Sequence, residues 1–185
     1  MIINTNSPYN FNTLRDNVFL LMTTYPFLKL STIGYSVLGL PLYCIRFGTG
    51  PKEIFYSASI HANEWITSPV LMKFVEDLCI AYSHNANIYG YSANSIFETT
   101  SIYIVPMVNP DGVNLVTSSL NKNSNSYMYT QYIANKYPDI SFPSGWKANI
   151  NGVDLKIYQP FFKSCKFLAY KTFLIFILDS FIKNS

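Results

Sequence analysis

Between Glu53 and Val108 the chain alternates strand, helix and strand, and this succession constrains its fold more than any other feature. The run EIFYSASI (Glu53 to Ile60) is aromatic, apolar and β-branched, as a buried strand requires. After HANEW, the residues Val70, Leu71, Phe74, Val75 and Leu78 recur at helical spacing, so residues 64–82 are predicted to form a helix. Asn63 is its candidate N-cap, although Pro69 falls late for a helix start. A polar loop over 83–98 leads to SIYIVPMV (Ser101 to Val108), which ends on NPDG, a strong turn signal. A crossover of this length joins parallel strands, so an α/β class with a partly parallel sheet follows. Upstream, residues 11–25 carry Leu14, Val18, Leu21 and Met22 on one helical face and stop before Pro26. PLYCIRF (Pro41 to Phe47) reads as a further strand, joined to the next by a tight connection at Gly48, Gly50 and Pro51.

Composition narrows the class. A length of 185 residues with 49% hydrophobic content suits one domain with a sizeable core. Charged residues are 12%, against roughly 25% in ordinary domains, and the net charge is +3. So weak a charge leaves no footprint for nucleic acid, and none is expected as a partner. Cys44, Cys79 and Cys165 are odd in number and never in a CxxC pair, which excludes a disulfide framework and a thiolate zinc site. No basic-then-apolar leader opens the chain, so a reduced, cytoplasmic setting is the expectation. The long polar stretch 117–145 is of the kind that is functional or disordered. Further on, the apolar run Phe173 to Leu178 is too short to span a bilayer, and no membrane partner is expected.

His61 and Glu64 are the residues with the most chemistry to offer. They form an H-x-x-E at the end of a strand and the start of a helix, where an α/β sheet opens into a crevice. An imidazole and a carboxylate three apart across such a turn can converge on one cation, and zinc accepts that nitrogen and oxygen pair. A surface histidine beside a helix N-terminal glutamate gives the same short pattern.

Four strings in one order carry more. GPKEIFYSASIHANEW, the helix with EDL, IYIVPMVNPDGV and GVDL together resemble the zinc carboxypeptidase family, and within it the bacterial branch of γ-D-glutamyl-diamino-acid endopeptidases. The resemblance runs from near Tyr9 to about Leu155. It implies the N-terminal half of a mixed, partly parallel sheet with flanking helices, as a partial domain over residues 1–155. It implies one zinc ion, with His61 and Glu64 as the first two ligands, and a peptide substrate, in that branch a peptidoglycan stem peptide. Asn63 stands where digestive members place a substrate-contacting arginine. Asn109, Pro110, Asp111 and Gly112 match a structural turn that bends the chain below the site, with Asp111 no general base. Lys147 lies about where the family has an arginine that polarises the scissile carbonyl, and Asn151 at another place where relatives have one. A lysine supplies one charge to an oxyanion without arginine's fork.

The resemblance then stops. Lys156 and Ile157 follow GVDL where the family has Asn and often Arg. The family's third zinc ligand, a histidine, has no counterpart, and no glutamate follows residue 157 to act as general base. The second histidine, His84, lies beyond the helix that starts near Glu64, roughly 27–30 Å away at a rise of ~1.5 Å per residue. The expected site therefore has two of three ligands. The change in composition at 156 marks 156–185 as an atypical tail, expected from out-of-frame translation of an adenine-rich stretch. Two other functions stay open: a non-catalytic remnant or peptide-binding module, and a zinc-dependent N-acyl amino acid deacylase, which shares H-x-x-E.

Overall fold

The computed structural model describes residues 1–156. The tail beyond, with its apolar run and Cys165, lies outside the described residues.

Helix α1 (Phe11–Thr24) begins where Asn10 accepts the Thr13 N–H at 3.0 Å, and it buries Phe11, Leu14, Val18 and Leu21. Strand β1 (Lys29–Tyr35), polar enough to pass for loop in the sequence, pairs antiparallel with β2 (Pro41–Phe47). Strand β3 (Lys52–Ser57) leads to a short 3-10 turn (Ala62–Glu64) and helix α2 (Thr67–Ser83). Strands β4 (Asn87–Ile88) and β5 (Tyr91–Ser92) form a small hairpin before helix α3 (Ala93–Thr99) and strand β6 (Thr100–Val105). Helices α4 (Pro110–Val116) and α5 (Asn125–Ala134) follow.

The sheet order is β1-β2-β6-β3, with β6 antiparallel to β2 and parallel to β3. The tight connection after β2 is thus no hairpin, because β6 enters between the strands it joins. Glycine permits this. A Cβ at Gly48, where φ is +89°, would lie 2.1 Å from the Thr100 carbonyl oxygen, and one at Gly50 would lie 1.9 Å from the Thr99 carbonyl carbon. The connection passes against the backbone that opens β6, and no larger residue fits there.

Four expectations change. Helix α2 starts at Thr67, not 64, and Asn63 is not its cap; the Ile66 cap position makes no side-chain bond. Pro69 then falls in the first turn, where a missing N–H costs nothing. Val70, placed in the buried stripe by its spacing, is 54% exposed, because the buried face runs through Ser68, Met72, Val75, Glu76 and Cys79. The polar segments 83–98 and 117–145 hold α3 and α5, started by Ser92 and Ser124, whose hydroxyls accept the Ser95 and Tyr127 N–H groups. NPDG is a helix start rather than a plain turn: Asn109 caps α4 and Pro110 occupies its first position.

Two buried carboxylates tie segments together. Glu76 accepts the Ile2 and Ile3 N–H groups and lies 3.8 Å from Lys73 Nζ, anchoring the N-terminal segment on α2. Asp111 accepts the Ser36 hydroxyl at 2.8 Å and the Leu38 N–H at 3.0 Å, fixing the β1–β2 hairpin tip to α4. Burial raises the Asp111 carboxyl above its ordinary 3.8, and these hydrogen bonds pull against that rise. A carboxyl that titrates higher folded than unfolded adds stability that is complete below the unfolded value and is lost as pH rises through the folded one. Asp111→Asn removes that dependence. The variant is expected to gain on the parent in urea midpoint as pH rises above the carboxyl's ordinary 3.8; a difference that is flat or shrinks with pH refutes the assignment.

Candidate metal centre

The site begins where β3 ends. Ala58 donates to Val105 O and Val108 to Ala58 O, both at 3.0 Å, so pairing with the β6 segment continues past the strand. Ser59 then takes φ +48°, a left-handed conformation uncommon for serine. Its N–H donates to Thr67 Oγ1 at 2.9 Å, its hydroxyl meets Ser68 Oγ at 2.6 Å, and Ser68 Oγ donates to Pro106 O at 2.5 Å. This network turns the chain so that His61, 9% exposed, leaves the strand end, and the 3-10 turn brings Glu64 back beneath it.

His61 Nδ1 lies 2.8 Å from Glu64 Oε1. On the other side of the ring, Nε2 lies 3.6 Å from Asp154 Oδ1. The imidazole is therefore set between two carboxylates. Glu64 and Asp154 keep 47% and 40% of their side chains exposed, so both reach solvent. Asp154 was missed as a site residue in the sequence, where GVDL served only as a landmark. Its carboxylate faces the ring's second nitrogen from the side opposite Glu64.

The other expected residues fall unequally. Asn63 is half-buried in the same turn, and its Oδ1 is buried with no hydrogen-bond partner among the described residues. Lys147 comes next to the turn through its backbone: its carbonyl accepts the Ala62 N–H at 3.0 Å. The Lys147 side chain is exposed and pairs with no carboxylate among the described residues. Asn151 is exposed, its N–H given to Asn149 Oδ1 at 3.0 Å. His84 sits at the far end of α2, exposed, with Nδ1 2.8 Å from Ile80 O, and does not join the site. The Cys79 thiol is buried in α2 and pushed up to about 12 by that burial, which leaves it inert as a nucleophile.

His61 and Glu64 are the donor types zinc takes. No group of three His, Cys, Asp or Glu able to hold a metal ion occurs among the described residues. Among the described residues, the donors brought together at this turn are of types suited to zinc.

The fold is that of carboxypeptidases. It superposes with TM-score 0.53 and 21% identity on bovine thrombin-activatable fibrinolysis inhibitor, solved in complex with tick carboxypeptidase inhibitor, over 78% of this chain and 38% of that one. In sequence, residues 18–158 match the zinc carboxypeptidase family, Peptidase_M14, and the chain belongs to it. It is 43% identical over 159 residues to gamma-D-glutamyl-L-diamino acid endopeptidase 1 of Lysinibacillus sphaericus, covering 86% of this chain and 39% of the relative. It is 35% identical over 154 residues to the Bacillus subtilis (strain 168) protein YqgT, covering 82% and 40%. The chain thus spans about two fifths of the length of these curated relatives. Among the described residues no helix is long and apolar enough to cross a membrane.

Proposed function

We propose that the chain carries the first part of a zinc-dependent peptide hydrolase site, with His61 and Glu64 as two of three protein ligands. The observation that supports this is the 2.8 Å approach of His61 Nδ1 to Glu64 Oε1 at a strand end, with Asp154 behind the ring. Zinc held there supplies a Lewis acid that polarises a carbonyl and acidifies water. In this reading Asp154 orients His61 so that Nδ1 faces the ion. Asn63, whose Oδ1 has no partner among the described residues, binds substrate. Lys147 places a single positive charge toward the oxyanion. The substrate class is peptide, and the likeness to the Lysinibacillus endopeptidase supports a cell-wall peptide with a γ-D-glutamyl link to a diamino acid. No glutamate follows residue 157 and the third ligand is absent, so we read the 185-residue chain as binding zinc without turning substrate over.

Calorimetric zinc titration of the 185-residue chain, run beside hydrolysis of a γ-D-glutamyl-diamino-acid peptide, tests this. The expected result is one zinc per chain, bound more weakly than by a three-ligand site, and hydrolysis no faster than buffer. A chain that takes up no zinc overturns the ligand assignment. Turnover that stops on adding chelator overturns the incomplete site and establishes the hydrolase directly.

A further inference from the structure

The NPDG motif does more than begin a helix. Asn109 is 2% exposed, and its side chain touches both the His61 turn and the 146–148 loop. Oδ1 accepts the Gly112 N–H at 3.1 Å, the capping bond of α4. Nδ2 lies 3.1 Å from Ala148 O, 3.4 Å from Ile60 O and 3.5 Å from Lys147 O. The Asn109 N–H donates to Ser59 O at 3.0 Å. One amide group thus joins the residue before His61 to the residues on either side of the Lys147–Ala148 peptide bond. Packing reinforces the junction: a Cβ on Gly112 would lie 2.7 Å from Ala62 Cβ, so the first turn of α4 presses directly on the His61 turn.

Capping alone does not require asparagine. Serine, threonine and aspartate cap helices about as well. A serine hydroxyl is too short to reach the three carbonyls as well as the cap, and a carboxylate has no proton to give them. Asparagine combines a cap acceptor with a two-proton donor. We propose that Asn109 is a positioning residue, whose amide fastens the 146–148 loop to the His61 turn and so sets Lys147 against the His61–Glu64 pair. This rests on the zinc-site reading above for its chemical meaning, but the fastening itself is tested without metal.

The test uses the full chain with Asn109→Ser, which keeps a cap and removes the donor, and Asn109→Asp, which keeps the cap and turns a carboxylate toward the carbonyls. Trypsin cleavage after Lys147 is measured relative to cleavage after the exposed Lys122. The expected change is a rise of about tenfold in that ratio in both variants, because the Lys147 carbonyl is released into a locally opened loop. Zinc affinity, read by competition with a chromophoric chelator, falls about tenfold with it. Asn10→Ala, which removes the α1 cap and a bond to Ser119 but no hydrogen bond to the 146–148 loop or the His61 turn, leaves the ratio unchanged. If Asn109→Ser fails to fold, the ratio in Asn109→Asp and the hydrogen exchange of the Ala62 amide, which donates to Lys147 O, decide the matter. A ratio within twofold of the parent in the variants, or an equal rise in Asn10→Ala, overturns the proposal. Loss of zinc binding by the parent chain itself counts against the ligand assignment, while the cleavage ratio still decides Asn109.

Discussion

Alanine in place of His61 is expected to lower zinc affinity at least about a hundredfold at a modest cost in folding stability. The imidazole is the only nitrogen donor the site offers among the described residues, since His84 lies at the far end of α2. In the proposed two-ligand site no further donor among the described residues can take its place. The structural cost is small because the carboxylates left behind, Glu64 and Asp154, keep 47% and 40% of their side chains exposed and rehydrate. Removing the ring costs about 1 kcal/mol of folding stability, the scale of one hydrogen bond. Glu64→Ala is expected to match the affinity loss. Asp154→Asn, which weakens only the hold on the ring's far nitrogen, is expected to lose about tenfold to a hundredfold. That graded order, read by calorimetry, separates a metal pair from a helix-start ion pair. In an ion pair all three substitutions leave metal content where it was.

The sequence revealed the parts of this site that are local and hid those that depend on the far chain. His61 and Glu64 are three residues apart, and the strand-to-helix turn that joins them leaves a short pattern. Asp154 arrives from ninety-three positions downstream of His61, and nothing in its own neighbourhood says which ring it faces. Asn109 is similar: its capping role is readable from Asn-Pro-Asp-Gly, but its contacts to Ile60, Lys147 and Ala148 exist only once β6 lies beside β3. In the fold, long apolar runs gave β2, β3, β6, α1 and most of α2. Strand β1 was missed because Lys29–Tyr35 is an edge strand exposed along most of its length, so its pattern is not that of a buried strand. Helices α3 and α5 were missed because their segments are rich in Asn, Ser and Tyr, and packing rather than propensity holds them. Val70 was misplaced for a simpler reason. The α2 register follows Ser68, Met72 and Glu76, two of them polar, and an apolar count passes over polar residues that are buried by their partners.

Phe47→Ala is expected to destabilise the protein by about 3–5 kcal/mol, a large share of the ~5–15 kcal/mol that holds a domain together. Phe47 has no exposed surface. Its ring meets Phe97 at 5.2 Å, Tyr82 at 5.9 Å and Phe27 at 6.2 Å, each edge to face. Tyr82 and Phe97 stack on each other at 4.2 Å, and Phe27 meets Tyr82 at 4.7 Å. These rings come from the end of β2, the C-terminal turn of α2, the segment before β1, and α3. Truncation leaves a cavity where four elements meet, and relaxation cannot close it without moving α3, which runs straight into β6. Phe19→Ala is the matching control. It is 50% exposed with an edge contact to Tyr43 at 6.0 Å, and its loss is expected to stay near 1 kcal/mol. Urea unfolding followed by circular dichroism reads both. The difference bears on the site, because β6 carries the backbone that pairs with Ala58 and presents Asn109 to the His61 turn. A loss below about 1 kcal/mol for Phe47→Ala would show that the sheet is not anchored through this aromatic junction. The geometry at His61 would then rest on local contacts such as those of Asn109, the Ser59–Ser68 pair and the Ala62 bond to Lys147.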